Sequence, residues 1–117
     1  MKDLEHRLQC ACVRWFAYQH PELKGTLFAV PNGGQRNAIV AAKLKAEGVT
    51  AGVADLLLLV PNDTHHGLCI EMKTEKGRQS DKQKEWQALI EEKGYRYEVV
   101  RNFEEFTQLI EEYLQQQ

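Results

Sequence analysis

The chain has 117 residues, 43% hydrophobic and 27% charged. That balance belongs to one globular domain, residues 1–117, long enough to bury a core without covalent staples. No apolar run approaches the roughly 18 residues of a membrane span, and the charged, amphipathic start MKDLEHRLQ shows no signal peptide. Cys10, Cys12 and Cys69 are odd in number and form no C-x-x-C pair, which excludes a disulfide framework or zinc knuckle and fits a reducing cytoplasm. The net charge of −2 and pI of about 6.1 argue mildly against a nucleic-acid partner, but the charge is polarised. Residues 73–84 carry Lys73, Lys76, Arg78, Lys82 and Lys84 against Glu75 and Asp81, whereas residues 91–117 carry seven acidic side chains against three basic ones.

Residues 2–20 predict a helix, with Leu4, Leu8, Cys12, Trp15 and Phe16 on one apolar stripe and Pro21 beyond its end. TLFAV, Thr26 to Val30, is a short strand. PNGGQR, Pro31 to Arg36, is a turn; it lacks the lysine and spacing of a phosphate-binding loop, so no nucleotide cofactor is expected. NAIVAAKLKAEG is a second helix closing on Gly48. DLLLLV, Asp55 to Val60, is an apolar run short enough for a central strand. PNDTHHG follows as a hairpin loop, so the adjacent His65 and His66 read as loop residues, and LCIEMK returns as the partner strand. Ser80 to Lys93 is a third helix, with Ser80 as N-cap and Gln83 in the capping-box position. YRYEVV is a strand, and Phe103 to Leu114 is a last amphipathic helix. The order α-β-α-β-β-α-β-α predicts an α/β fold with a mixed sheet flanked by helices. The apolar faces of the first and last helices are candidate surfaces for a dimer or for the core.

Charge within the two middle strands is the feature that points to chemistry. Residues two apart on a strand share a side, so Glu71 and Lys73 face one way while Ile70 and Met72 face the other. Counting inward from the loop sets Val60 opposite Leu68 and brings Asp55 near Lys73. Two carboxylates and an ammonium then meet at one end of the hairpin, where crowded carboxylates need a cation or a proton. Mg²⁺ suits such a place, because it takes oxygen ligands and needs only one or two carboxylates beside substrate phosphate. A lysine there can hold a water and stabilise developing phosphorane charge. The alternative is a plain surface ion pair. The apolar setting of both strands and the basic segment from Lys76 to Lys84 favour the site, since phosphate-backbone binding requires cations.

PNGGQRN, LKAEGVTAGVADLLLLVP, CIEMKTEKGRQSDKQKEW and GYRYEVVRNFEE, from about Pro31 to Glu105, together resemble a stand-alone VRR-NUC domain, a branch of the PD-(D/E)xK nuclease superfamily. The resemblance implies a restriction-endonuclease-like fold and Mg²⁺- or Mn²⁺-dependent cleavage of DNA that leaves 5′-phosphate and 3′-hydroxyl ends. Short phage and bacterial members are similar to Holliday-junction resolvases and act as homodimers, which implies branched DNA as partner and a bacterial or phage-infected cell as setting. Larger eukaryotic relatives place the domain in DNA crosslink repair. By position, the resemblance makes Asp55 and Glu71 metal ligands, the Met72 main-chain carbonyl a third ligand, and Lys73 the catalytic lysine. It makes Glu5 an acid that approaches the metal directly or through water, Gln83 a site-facing catalytic residue, and Arg36 a phosphate contact; Lys76, Arg78 and Lys82 of the basic segment are the other candidate DNA contacts. The family often has Pro before the aspartate; here Ala54 stands there, which removes no ligand. The same site on a flap- or end-directed nuclease, and a non-catalytic DNA-binding module, are the competing functions.

Outside that set, Glu5 alone reads as a solvated helix residue, and Gln83 could simply reach back to Ser80. Cys10 and Cys12 lie two apart on a helix and cannot share a face. Trp15, Phe16 and Trp86 fit apolar core stripes.

Overall fold

The computed structural model describes residues 2–31 and 37–116. Helix α1 (Lys2–Gln19) leads through a short 3₁₀ turn (Pro21–Leu23) to strand β1 (Leu27–Ala29). Helix α2 (Ala38–Ala46), strands β2 (Leu56–Leu58) and β3 (Leu68–Met72), helix α3 (Asp81–Glu92), strand β4 (Arg96–Val100) and helix α4 (Phe103–Gln115) follow. The element order is that predicted, with the strands shortened at their ends. The sheet order is β1-β2-β3-β4: β1, β2 and β3 pair antiparallel, and β4 joins β3 in parallel after crossing over through α3.

The period-2 pattern of the strands divides the sheet into two faces. Leu56, Leu58, Leu68, Ile70 and Met72 meet α1 and α4, whose Cys12, Phe16, Phe106, Ile110 and Tyr113 complete one buried cluster. Trp15 stands edge-on to Phe103 and Phe106 across the two helices. The apolar stripes of the first and last helices therefore supply core, except at their ends, where Leu4 is 57% and Phe103 40% exposed. On the other face, Ala54, Cys69 and Tyr97 are buried beneath Trp86 and Ile90 of α3. Asn102 caps α4 by accepting from the Glu105 amide, and Asn37 caps α2 by accepting from the Val40 amide. Helix α2 buries none of its residues, and Ile39 is 82% exposed.

One register differs from the sequence expectation. Leu58, not Val60, lies opposite Leu68, and the same register carried one residue beyond β2 brings Asp55 toward Glu71 rather than Lys73. The physical reason lies at the end of β2. The Leu59 amide donates to the Thr26 carbonyl, and the Val60 carbonyl accepts from the Tyr113 hydroxyl at 2.7 Å. These bonds draw the chain out of the hairpin toward β1 and α4. Because the slip is two residues, every side chain keeps its face.

The loop before β2 packs closely on α3. Gly52 has φ +85°, and a Cβ there would collide with the Lys82 carbonyl group and come within 3.1 Å of the Gln83 nitrogen. Only glycine combines that backbone conformation with that approach. Gly52→Ala is expected to destabilise the fold by about 2 kcal/mol, read as a lowered midpoint in urea unfolding; an unchanged midpoint would contradict the close approach.

Candidate active site

Asp55, Glu71 and Lys73 come together where β2 and β3 meet, on the face covered by α3. The Asp55 backbone is tied outward, its carbonyl accepting from the Val30 amide at 2.9 Å. Its side chain is tied inward: Oδ2 accepts from the Met72 amide at 2.7 Å. A carboxylate thus takes the place of a ladder carbonyl and is fixed beside β3. Since the Met72 N–H points toward β2, the carbonyl of the same residue lies along that edge too. The next amide, of Lys73, turns to β4 and donates to the Val100 carbonyl at 2.9 Å.

Glu71 is the deepest charge in the site, 2% exposed, and each of its oxygens has a partner. Oε2 accepts from Gln83 Nε2 at 2.7 Å and lies 3.7 Å from Lys73 Nζ. Oε1 accepts from the Tyr97 hydroxyl at 3.4 Å. Gln83 performs two tasks with one amide. Its Oε1 accepts from the Ser80 backbone while its own backbone donates to Ser80 Oγ, closing the capping box of α3. Its Nε2 then points at Glu71. Capping and facing the site, which the sequence presents as alternatives, are both realised.

Burial, then the neighbouring charge of Asp55, pushes Glu71 up to about 8; Lys73 and the Tyr97 hydrogen bond pull the other way, and a hydrogen bond with Asp55 adds to the rise. Without a cation, Glu71 therefore holds its proton at neutral pH. Burial and the Glu71 charge push the Tyr97 phenol upward, so it stays a donor. The donor set fits a hard divalent ion: two carboxylates and a main-chain carbonyl on one strand edge are the oxygen ligands Mg²⁺ takes. Among the described residues no third His, Cys, Asp or Glu joins them in a metal-binding group. Glu5 makes no three-residue metal-binding group with Asp55 and Glu71; other residues of its helix pack on the Ile70–Met72 face.

Lys76, Arg78 and Lys82 are all exposed around the site. Lys76 and Arg78 ride on the connector after β3. Lys82 lies on the first turn of α3, 3.9 Å from Glu85 across solvent, a contact of little energetic weight. Arg36 lies outside the described residues. Two contributors were not evident from the sequence. Arg101 Nη1 donates to the carbonyls of Thr74 (2.7 Å), Gly77 (2.6 Å) and Glu75 (3.3 Å), gathering the basic connector around one guanidinium. Tyr97 reaches Glu71 from the neighbouring strand. In the sequence, Arg101 is one more surface base and Tyr97 one more alternating aromatic; only β3–β4 pairing exposes their roles. A groove of about 740 Å³ lies not over the carboxylates but between α2 and α3, lined by Leu44, Val49, Trp86 and Leu89 with Lys45 and Lys82 at its rim.

The titration of Glu71 has a consequence for stability. Its folded value lies above the ordinary 4.5, so its favourable contribution is complete below about pH 4.5 and is lost as pH rises toward 8. In that window this one group lowers stability by up to about 1.4 kcal/mol per pH unit. Glu71→Gln without metal is expected to unfold at higher temperature than wild type at pH 8 and to depend less on pH between 5 and 8. Parallel pH profiles for the two proteins would contradict the upward shift of buried Glu71.

The VRR-NUC domain model matches residues 3–104. A solved structure described as a VRR_NUC domain protein superposes with a TM-score of 0.84 at 26% identity, over 96% of this chain and 88% of its own. No curated protein matches the chain. Among the described residues no helix is long and apolar enough to cross a membrane. With its mixed four-stranded sheet, its helical layers and a family match over most of its length, the chain belongs to the VRR-NUC domain family and carries that family's nuclease-type fold.

Proposed function

We propose that the protein is a metal-dependent endodeoxyribonuclease whose catalytic group is Asp55, Glu71 and Lys73 with Gln83, and whose cofactor is Mg²⁺ or Mn²⁺. The observation that carries this reading is the Asp55 carboxylate held on the Met72 amide at 2.7 Å, beside buried Glu71, with Lys73 Nζ 3.7 Å from the Glu71 carboxylate. Asp55, Glu71 and the Met72 carbonyl would hold the ion. When bound, it supplies the positive charge that polarises a phosphodiester and makes water more acidic.

The remaining work belongs to the chain. Gln83 keeps the Glu71 carboxylate oriented through the bond at 2.7 Å. Lys73 is an ammonium in a restricted space, its side chain 14% exposed. It can hold a water by hydrogen bond for attack on phosphorus and stabilise the negative charge gathering on the phosphoryl oxygens. The exposed connector with Lys76 and Arg78, and Lys82 beside it, supplies cations for the phosphates flanking the cut. A half-open cluster with a basic rim suits an extended polymer rather than an enclosed small molecule.

The finer reading is cleavage of four-way junction DNA by a homodimer. One chain carries one such site, and symmetric incision of a junction requires two related by a two-fold axis. Labelled junction, flap and linear duplex substrates, each with Mg²⁺ or Mn²⁺, test it. Wild type is expected to cut the junction in preference to the others, and Lys73→Ala to lower the rate at least about 100-fold. Equal cleavage by both proteins would refute the chemistry, and preference for flaps would refute the substrate alone. Replacing Lys76 and Arg78 together by alanine is expected to reduce the slope of log affinity against log salt by roughly two; an unchanged slope would take the connector out of the DNA interface.

A further inference from the structure

Glu71 is held from two sides. Gln83 and Lys73 act on Oε2, while Oε1 faces Tyr97, two residues along β4 from the position paired with Glu71. Tyr97 is 3% exposed, and its ring packs against Trp86 with centroids 6.0 Å apart. A buried phenol needs a polar partner, but here the hydrogen bonds also have a direction. Gln79 Nε2 donates both to the Tyr97 oxygen (3.3 Å) and to Gln87 Oε1 (2.9 Å). Gln87 Nε2 donates in turn to Glu91 (3.1 Å). The amide of Gln79 therefore occupies the acceptor side of the Tyr97 hydroxyl, and the hydroxyl hydrogen is left to point at Glu71.

We propose that Tyr97, aligned by Gln79, is a positioning residue that fixes the Glu71 carboxylate for cation binding. The assignment rests on the reading of Glu71 as a metal ligand. It gives Glu71 the kind of outer partner that orients ligating side chains and whose removal weakens binding 10- to 100-fold. Gln79 stands on the connector that carries Lys76 and Arg78, so the segment facing the DNA also sets the direction of a hydrogen bond on the carboxylate.

Calorimetric titration of Mn²⁺ into the full chain tests this, with thermal melts and DNA binding in EDTA measured beside it. Tyr97→Phe keeps the ring against Trp86 and removes only the hydroxyl. It is expected to raise the Mn²⁺ dissociation constant about tenfold, while DNA affinity in EDTA and the melting temperature stay near wild type. Gln79→Glu supplies a second arm that does not rely on Tyr97→Phe folding well. A carboxylate at that position accepts from the Tyr97 hydroxyl and turns its hydrogen away from Glu71, so Mn²⁺ affinity is expected to fall. Simple Coulomb attraction from an added negative charge predicts a rise. Wild-type Mn²⁺ affinity in Tyr97→Phe, or tighter binding in Gln79→Glu, would overturn the assignment alone. If wild type itself binds no Mn²⁺ saturably, or if Glu71→Gln binds it unchanged, Glu71 is not a ligand and the positioning role falls with that reading.

Discussion

Two carboxylates set side by side in a sheet, one of them almost wholly out of water, form the constraint around which this end of the molecule is built. Asp55 Oδ2 is fixed on the Met72 amide, one residue along from Glu71, and the two carboxylates lie close enough to interact directly. A buried carboxylate without compensation is expensive, and two together are worse. The protein meets this with a proton at neutral pH and with donors on each Glu71 oxygen: an amide from α3, a phenol from β4 and the Lys73 ammonium nearby. A divalent cation would satisfy the same pair more fully. As a device for stability alone the trio gains little, because a well-packed apolar trio would stabilise the fold at least as well.

The surrounding architecture serves to hold those donors in place. Gly52 lets the loop before Asp55 lie against the first turn of α3, and that turn contains Gln83. The capping box then freezes Gln83 so that its amide nitrogen has one direction left to point. Past β3, Arg101 gathers three carbonyls of the connector, so the cations Lys76 and Arg78 sit on a loop with a fixed course. Local capping, backbone conformation and loop closure thus act on one carboxylate and its rim, while α1 and α4 supply a conventional core on the far side of the sheet.

Much of this was legible in the sequence because it depends on short-range rules. Strand alternation placed Glu71 and Lys73 on one face whatever the register, and Ser80 with Gln83 announced the start of α3 by spacing alone. What depended on distant partners was not legible. The hairpin register moved by two residues because Thr26 and Tyr113, far away in the chain, capture Leu59 and Val60. Tyr97 and Gln79 acquire meaning only once β4 lies parallel beside β3.

The central claim is that Asp55 and Glu71 form a cation site and not a structural ion pair with Lys73. Its most direct test is the Mn²⁺ electron-spin resonance of metal-free protein at pH 7.5, comparing wild type with Asp55→Asn and Glu71→Gln. The account predicts that wild type quenches the free-ion signal saturably and that both variants leave it largely intact while remaining folded. Equal quenching by all three proteins, or none by wild type, would contradict it.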